Sequence, residues 1–278
     1  MSLKLMYITN RPEVAQIAEA AGVDRIFVDL EYIGKTDRQG GMDTVQSRHT
    51  LDDVKKIADA ITTAELLVRV NPIHDATNEH DSSEEEINAA IANGAQIIML
   101  PFFKTLEEVR RFLSIVNGRV KTMLLLETPE AAKIIDEILS LDGIDSIHIG
   151  LNDLSLGYGM KFMFEPLADG IVEGLCQKFK AKGILYGFGG IGRIGMGDLP
   201  AEHIIMEHYR LGSGCAILSR SFCNVNHMKD LDEIKKVFEF GVSEIRGYEA
   251  ICKKTSTEEL TKNQDTLKQK VQEIVEKR

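Results

Sequence analysis

The sequence predicts an α/β protein: a (β/α)8 TIM barrel with extra helices at its C-terminal end. Three observations carry this. Eight short aliphatic or β-branched runs alternate with longer amphipathic segments. Most of the short runs are continuously apolar, as parallel strands covered on both faces must be. The 278 residues suit one barrel, which typically needs about 250. A doubly wound open sheet is the competing arrangement. Eight units without a repeat break or linker favour the barrel.

The predicted strands are Leu5–Ile8, Arg25–Leu30, Glu65–Val70, Gln96–Leu100, Val120–Leu126, Ile144–Ile149, Ile184–Phe188 and Ala216–Leu218. Helices fill the gaps. Pro12 sits where an N1 proline starts the first. Ser83 with Glu86, and Thr105 with Glu108, have capping-box spacing. Thr128-Pro129 starts another helix. Two helical segments follow the eighth strand. The first, Asp230 to Cys252, carries Leu231, Ile234, Val237, Phe238 and Ile245. The second, Ser256 to Arg278, carries Leu260, Leu267, Val271 and Ile274 on one face. Its apolar stripe is narrow, so it is expected to lie along the barrel or a neighbouring subunit; a solvated tail that frays is the alternative for its final turn. The expected division is a catalytic barrel over 1–228 and C-terminal helices over 229–278.

The bulk chemistry excludes several function classes. A net charge of −10 with no basic stripe argues against nucleic acid and against anionic membranes. Small anionic substrates remain possible, because they feel local positive groups. Cys176, Cys215, Cys223 and Cys252 form no C-x-x-C pair and read as reduced thiols of a cytoplasmic protein. No apolar run approaches a membrane span, and no signal peptide is indicated.

In a barrel, reacting groups gather at the C-terminal strand ends. Here strand two ends in Asp29-Leu30-Glu31, strand three in Arg69 followed by Asn71 and Pro72, strand five in Glu127, and strand six in Gly150-Leu151-Asn152-Asp153. Carboxylates near an arginine are what a hard divalent ion and an anionic substrate require. Each has a plainer reading. Asp153 could cap the next turn. A structural Glu127–Arg69 pair across the barrel top would explain both residues without a metal, since each follows a run that should be buried.

Some of these segments resemble a known family. Leu124-Leu125-Leu126-Glu127-Thr128, then Gly143-Ile144-Asp145 and Ile149-Gly150-Leu151-Asn152-Asp153-Leu154-Ser155, resemble the HpcH/HpaI aldolases. Phe27-Val28-Asp29-Leu30-Glu31 resembles the family's Asp-x-Glu motif, and Val68-Arg69-Val70-Asn71 its arginine motif. Gly94-Ala95-Gln96 through Leu100-Pro101 resembles its Gly-Ala…Pro strand. The similarity runs from about Thr9 to Phe222. Members are metal-dependent pyruvate aldolases on a (β/α)8 barrel, close to the citrate lyase β-subunit group.

The resemblance implies roles. Glu127 and Asp153 would hold Mg²⁺ or Mn²⁺, with Co²⁺ as a further option. Arg69 would bind the keto oxygen of a 2-keto acid and steady its enolate. Gly150, Leu151, Asn152 and Pro101 would line the substrate, with backbone amides near Leu151 and Asn152 on its carboxylate. Asp29 and Glu31 would orient water or a neighbouring base. An aldehyde would be the co-product, and a homo-oligomer, trimer or hexamer, the assembly, often with the last helices exchanged between subunits. Two departures stand out. Tyr32 occupies the position of the family's acid–base histidine, which leaves His49 or His74 as substitutes. Asn117-Gly118-Arg119-Val120 makes a short connection before strand five, so the aldehyde side is expected to be rebuilt. The expected function is a class II carbon–carbon lyase. The alternatives are an acyl-CoA ester lyase of the citrate lyase β type, for which Lys35, Arg38 and Arg48 are the obvious basic cluster, and a metal-binding barrel that is catalytically silent.

The segment Gly187-Phe188-Gly189-Gly190-Ile191-Gly192-Arg193 matches G-x-G-x-x-G without the acidic residue a dinucleotide fold wants. Barrel loops seven and eight often bind phosphate. Arg193, the glycine amides and Ser213-Gly214 are therefore candidates for a phosphorylated or carboxylated substrate arm, with a flexible turn as the alternative.

Overall fold

A computed structural model describes residues 2–34, 49–225 and 227–278. Eight parallel strands close in sequence order: β1 (Lys4–Ile8), β2 (Arg25–Asp29), β3 (Glu65–Arg69), β4 (Ile97–Leu100), β5 (Lys121–Leu126), β6 (Ser146–Ile149), β7 (Leu185–Ile191) and β8 (Cys215–Leu218). Closure is made by β8 on β1, with Lys4 opposite Cys215 and Tyr7 opposite Leu218. The chain is a (β/α)8 barrel with additional C-terminal helices.

Alternation along each strand splits the apolar residues into two sets. Met6, Phe27, Leu67, Ile97, Met99, Met123, Leu125 and Cys215 fill the barrel interior. Residues one position away, such as Leu66, Ile98, Leu124 and Leu126, face the helices and join the larger cluster. This is why the strands read as unbroken apolar runs.

The helices begin where the sequence provides caps. They are α1 (Pro12–Ala20), α2 (Leu51–Ala60), α3 (Ser83–Ala92), α4 (Leu106–Val116), α5 (Pro129–Lys133), α6 (Ile135–Ile138), α7 (Leu151–Gly157), α8 (Glu165–Ala168), α9 (Ile171–Lys182), α10 (Ala201–Leu211), α11 (Leu231–Cys252) and α12 (Thr257–Glu276). Pro12 opens α1, and Thr105 with Glu108 forms the box that opens α4. The α3 cap lies one residue earlier than its spacing predicted: Ser82 and Glu85 form the box. Ser83 instead hydrogen-bonds His74, and Glu86 accepts from Asn71. Tertiary partners took both residues out of the local competition.

The seventh strand is also longer than expected. Gly187–Ile191 is strand with a register shift, not a loop. A Cβ on Gly187 would stand 2.1 Å from the Cys215 carbonyl oxygen, so glycine here permits strand contact.

The last two helices pack on the barrel of their own chain. α11 lies on α1 and α10. Its Glu249 accepts from the Leu3 amide at 2.7 Å and from Tyr209. α12 packs on α10 and α8, burying Leu267, Val271 and Asn263. Asn263 Nδ2 donates to the His203 carbonyl and to Glu207, each at 3.1 Å. Beyond α12, Arg278 reaches the barrel mouth, where it pairs with Asp198 at 2.8 Å. Among the described residues no helix is long and apolar enough to cross a membrane.

Candidate active site

The mouth is built around Arg69. Its Nε and Nη2 donate to the two carboxylate oxygens of Asp29, both at 2.8 Å. Its Nη1 lies 3.2 Å from Glu31 Oε2. The β2–β3 register sets this up, because Asp29 stands directly opposite Arg69. Burial works against the guanidinium charge, but Asp29 first, then Glu31, hold its pKa above the ordinary value. A fork bonded to one carboxylate through two parallel bonds is fixed in orientation as well as charge.

Glu127 forms no ion pair with Arg69. Its Oε1 accepts from the Phe102 amide at 3.0 Å, and Phe102 holds a left-handed φ of 47°. A structural Glu127–Arg69 pair is therefore excluded; Glu127 acts on Arg69 only through its longer-range field. Glu127 and Asp153 instead line one cavity of about 220 Å³, with Phe102, Lys104 and Thr128. Asp153 does not cap α7: Gly150 occupies the N-cap, and Asp153 sits inside the first turn, 8% exposed. Gly150 lets β6 close on Glu127, since a Cβ there would stand 2.7 Å from Glu127 Oε2.

A second and larger cavity, about 1070 Å³, is lined by Asp29, His49, Arg69 and Asn152, and meets the first at Leu156. Leu151 is buried against Gly189. Pro101 is buried and lines neither cavity; its neighbour Phe102 does.

The acid–base candidates fare differently. His49 Nδ1 accepts from the Asp29 amide at 3.0 Å, so the proton of the neutral ring is on Nε2. Protonating Nδ1 requires that bond to break. Both ring nitrogens of His74 face carbonyl oxygens, of Pro72 and Asp81, and His74 lines neither cavity. Tyr32 is 56% exposed, and partial burial with Glu86 and Asp81 raises its phenol pKa. Its amide is held by Asn71, which also takes the Ile33 amide and donates to Glu86 at 2.7 Å. Asn71 thus braces the turn after β2, a role that spacing did not reveal. The basic cluster of Lys35, Arg38 and Arg48 lies outside the described residues.

Ser213-Gly214 lies at the N-terminal end of β8, where Ser213 bonds His208 and the Tyr186 carbonyl. It is remote from the mouth. The serines that reach the mouth are Ser219 and Ser221. The four cysteines are buried and unbridged. Burial pushes Cys176 up to about 12 and Cys215 and Cys252 up to about 11, so these thiols are inert.

The donor set fits a divalent cation. Asp29, Glu31, Glu127 and Asp153 are all buried at the mouth, and Arg69 ion-pairs with the first two. Among those residues no three His, Cys, Asp or Glu side chains converge on one metal point. Two carboxylates with remaining positions for water and substrate is a usual Mg²⁺ arrangement.

The profile of the HpcH/HpaI aldolase/citrate lyase family matches residues 4–165. The chain belongs to that family. The match spans β1 to the start of α8 and stops short of the Phe222 to which the sequence resemblance extended. A hydroxypyruvate/pyruvate aldolase of Rhizorhabdus wittichii is 32% identical over 94 residues, 31% of this chain. The match spans only 38% of that relative's length. Among solved structures, an HpcH/HpaI aldolase from Desulfitobacterium hafniense superposes with a TM-score of 0.57 at 17% identity, covering 78% of this chain and 86% of that one. The citrate lyase β subunit of M. tuberculosis, complexed with oxaloacetate and magnesium, gives 0.56 at 17% identity, covering 85% and 97%. At such identities these two establish shared fold alone.

Proposed function

We propose that this family member is a class II carbon–carbon lyase that cleaves a 2-keto acid to pyruvate and an aldehyde through the pyruvate enolate. The observation that carries the reading is Arg69, locked by Asp29 and Glu31 beside a cavity walled by Glu127 and Asp153. Mg²⁺ or Mn²⁺, with Co²⁺ as a further option, would be held by Glu127 and Asp153. Bound there, the ion supplies Lewis acidity toward the keto acid oxygens. Magnesium in the M. tuberculosis relative supports the choice.

The chain's own residues do the rest. Arg69 cannot rotate without losing two bonds to Asp29, so its remaining face is aimed at the keto oxygen. When the 4-hydroxyl loses its proton, its oxygen forms the aldehyde carbonyl, the C3–C4 bond breaks, its electron pair becomes the C2=C3 double bond, and the C2 carbonyl pair moves onto the keto oxygen, giving enolate and aldehyde. Arg69 stabilises that developing oxyanion, a term generally worth about 3–4 kcal/mol per donor. Backbone amides at Leu151 and Asn152 hold the carboxylate. Asp29 and Glu31 are both engaged by Arg69; we assign proton transfer to a water they orient, with His49 donating to it through Nε2–H. The same water's proton ends on C3 of the enolate. We place the catalytic unit in residues 1–228, and a homo-oligomer as the assembly, with the cytoplasm as location.

The test is deuterium exchange into the methyl group of pyruvate, followed by NMR with Mg²⁺ or Mn²⁺, beside Glu127→Ala. Metal-dependent exchange that disappears in the variant is expected. No exchange with any metal, while oxalate still binds, would overturn the lyase reading in favour of a catalytically silent barrel.

A further inference from the structure

Arg69 is anchored at two points of different kinds. Asp29 lies within β2, where the strand ladder fixes it. Glu31 lies two residues further, past the end of the strand, and takes Nη1 of the guanidinium at 3.2 Å. A side chain holds that stretch. Asn71 Oδ1 accepts from the Tyr32 and Ile33 amides, both at 2.9 Å, and Nδ2 donates to the Leu30 carbonyl at 3.3 Å. A carboxamide has two acceptor positions and two donor hydrogens. The Glu86 carboxylate takes the second hydrogen at 2.7 Å, so all four are used. The orientation of this amide follows from its partners, and with it the path of the chain on either side of Glu31.

Glu86 has no local task in its own helix. Ser82 and Glu85 form the capping box of α3. Glu86, one residue on, turns to Asn71 and accepts from its backbone amide at 3.1 Å as well as from Nδ2. Two bonds to one residue fix both its backbone and its side chain. Burial pushes the Glu86 carboxyl pKa up, against the Asn71 hydrogen bonds and the fields of His74 and His80. An apolar residue would fill this helix position without that desolvation. What the carboxylate adds is the hold on Asn71. Glu86 lines neither cavity, so whatever it does for the site it does through Asn71.

We propose that Glu86 is a positioning residue of this site: through Asn71 it fixes the turn that carries Glu31, and through Glu31 the second anchor of Arg69. The effect on catalysis rests on the lyase reading above; the mechanical link from Glu86 to Arg69 does not. Without Glu86, Asn71 keeps an unmatched donor and is free to turn. Glu31 then drifts and Nη1 loses its partner, while the two bonds to Asp29 survive. A guanidinium held by one carboxylate alone no longer keeps its aim, and reacting geometry tolerates little displacement.

The test uses the full chain with Mg²⁺ and compares Glu86→Ala, Glu86→Gln and Glu85→Ala. One readout is methyl exchange of pyruvate. The other is nitrogen NMR of the Arg69 side chain, identified by its absence from Arg69→Lys. Glu86→Ala is expected to slow saturated exchange by about tenfold or more, lowering the saturated rate more than it raises KM, and to free rotation of the Arg69 Nη1 group. Glu86→Gln should restore most of the rate, because one amide oxygen can take both Asn71 bonds, as Glu86 Oε1 does at 3.3 and 2.7 Å. Glu85→Ala removes the capping box of the same helix; it should lower the thermal midpoint and leave the rate and the Arg69 signal as in the wild type. Asn71→Asp sets a carboxylate against Glu86 and should reproduce the Glu86→Ala result, which keeps the test decisive if Glu86→Ala does not fold. Wild-type exchange by Glu86→Ala, an unchanged Arg69 signal, or an equal loss in Glu85→Ala overturns the proposal. Absence of exchange from the wild type, with Nη1 still released by Glu86→Ala, would sink the lyase reading and leave the positioning role standing.

Discussion

Gly150→Ala isolates the position of Glu127 from the stability of the fold. Gly150 has φ −81° and ψ 91°, which any L-residue can adopt, so no backbone strain is introduced. An alanine there would by itself stabilise the protein by about 0.4–1 kcal/mol through the unfolded chain. The added methyl, however, meets Glu127 Oε2 at 2.7 Å and Glu127 Cβ at 2.9 Å. Ordinary contacts lie near 3.5 Å, so Glu127 must recede by roughly 0.5–1 Å. Overpacking of this kind costs about 1–3 kcal/mol, which the first term offsets in part, so the melt should show a net loss of roughly 0–2.5 kcal/mol. Function has no such compensation. A carboxylate displaced by about 1 Å should cost about 10²-fold in pyruvate methyl exchange. Mn²⁺ affinity should fall about tenfold, equivalent to ~1.4 kcal/mol. The assays are calorimetric Mn²⁺ titration, NMR exchange and thermal unfolding on one preparation. A variant that keeps wild-type exchange and Mn²⁺ affinity would refute the assignment of Glu127 as a ligand.

Three further outcomes follow from the packing. Arg69→Lys replaces a fork with two 2.8 Å bonds by a point charge; it should lose about 1–3 kcal/mol in urea unfolding and about 10²-fold in exchange, and wild-type exchange would remove Arg69 from the mechanism. His148 and His208 are fully buried, and burial pushes them down to about 4 and about 3. The unfolded chain takes up these protons near pH 6.5 while the folded one does not, so stability present at neutral pH is lost as pH falls through that window. His148 alone should account for about 3 kcal/mol by pH 4. His208→Phe, which keeps the stack on Phe188, should flatten part of that loss in pH-dependent urea melts; an unchanged slope would refute the assignment. Asn263→Ala leaves Glu207 and the His203 carbonyl without their bonds to α12; a cost of about 1–3 kcal/mol and faster proteolytic release of that helix are expected, and unchanged proteolysis would show that the apolar stripe alone holds it.

The barrel was legible because its strands are covered on both sides, which writes each as an apolar run such as Met123–Leu126. What the pattern could not decide were contests between equivalent local signals. Ser82-Glu85 and Ser83-Glu86 have the same spacing, and only the positions of His74 and Asn71 settle which pair caps α3. Glycines misled at β7 for a related reason. In sequence, Gly187 to Gly192 reads as a turn; in the barrel, Gly187 lets β7 lie against Cys215 and the strand continues to Ile191.

The site divides along the same line. Arg69 and Glu127 could be placed at the mouth from the sequence because each closes a buried run, and the barrel sends such ends to one mouth; Asp153, inside the first turn of α7, could not be placed by that rule. Nor could the pairing of Arg69 be read. Arg69 had two plausible partners, and the strand register, which places Asp29 opposite it, chose. The contacts made by closure of the barrel were less visible still. Arg11 and Ser219 are brought together by the closure of β8 on β1, a contact across nearly the whole chain. Neither belongs to a motif, and each alone reads as an ordinary loop residue. Within this family, then, the residues expected to activate the keto acid lie in the segment that sequence comparison matches.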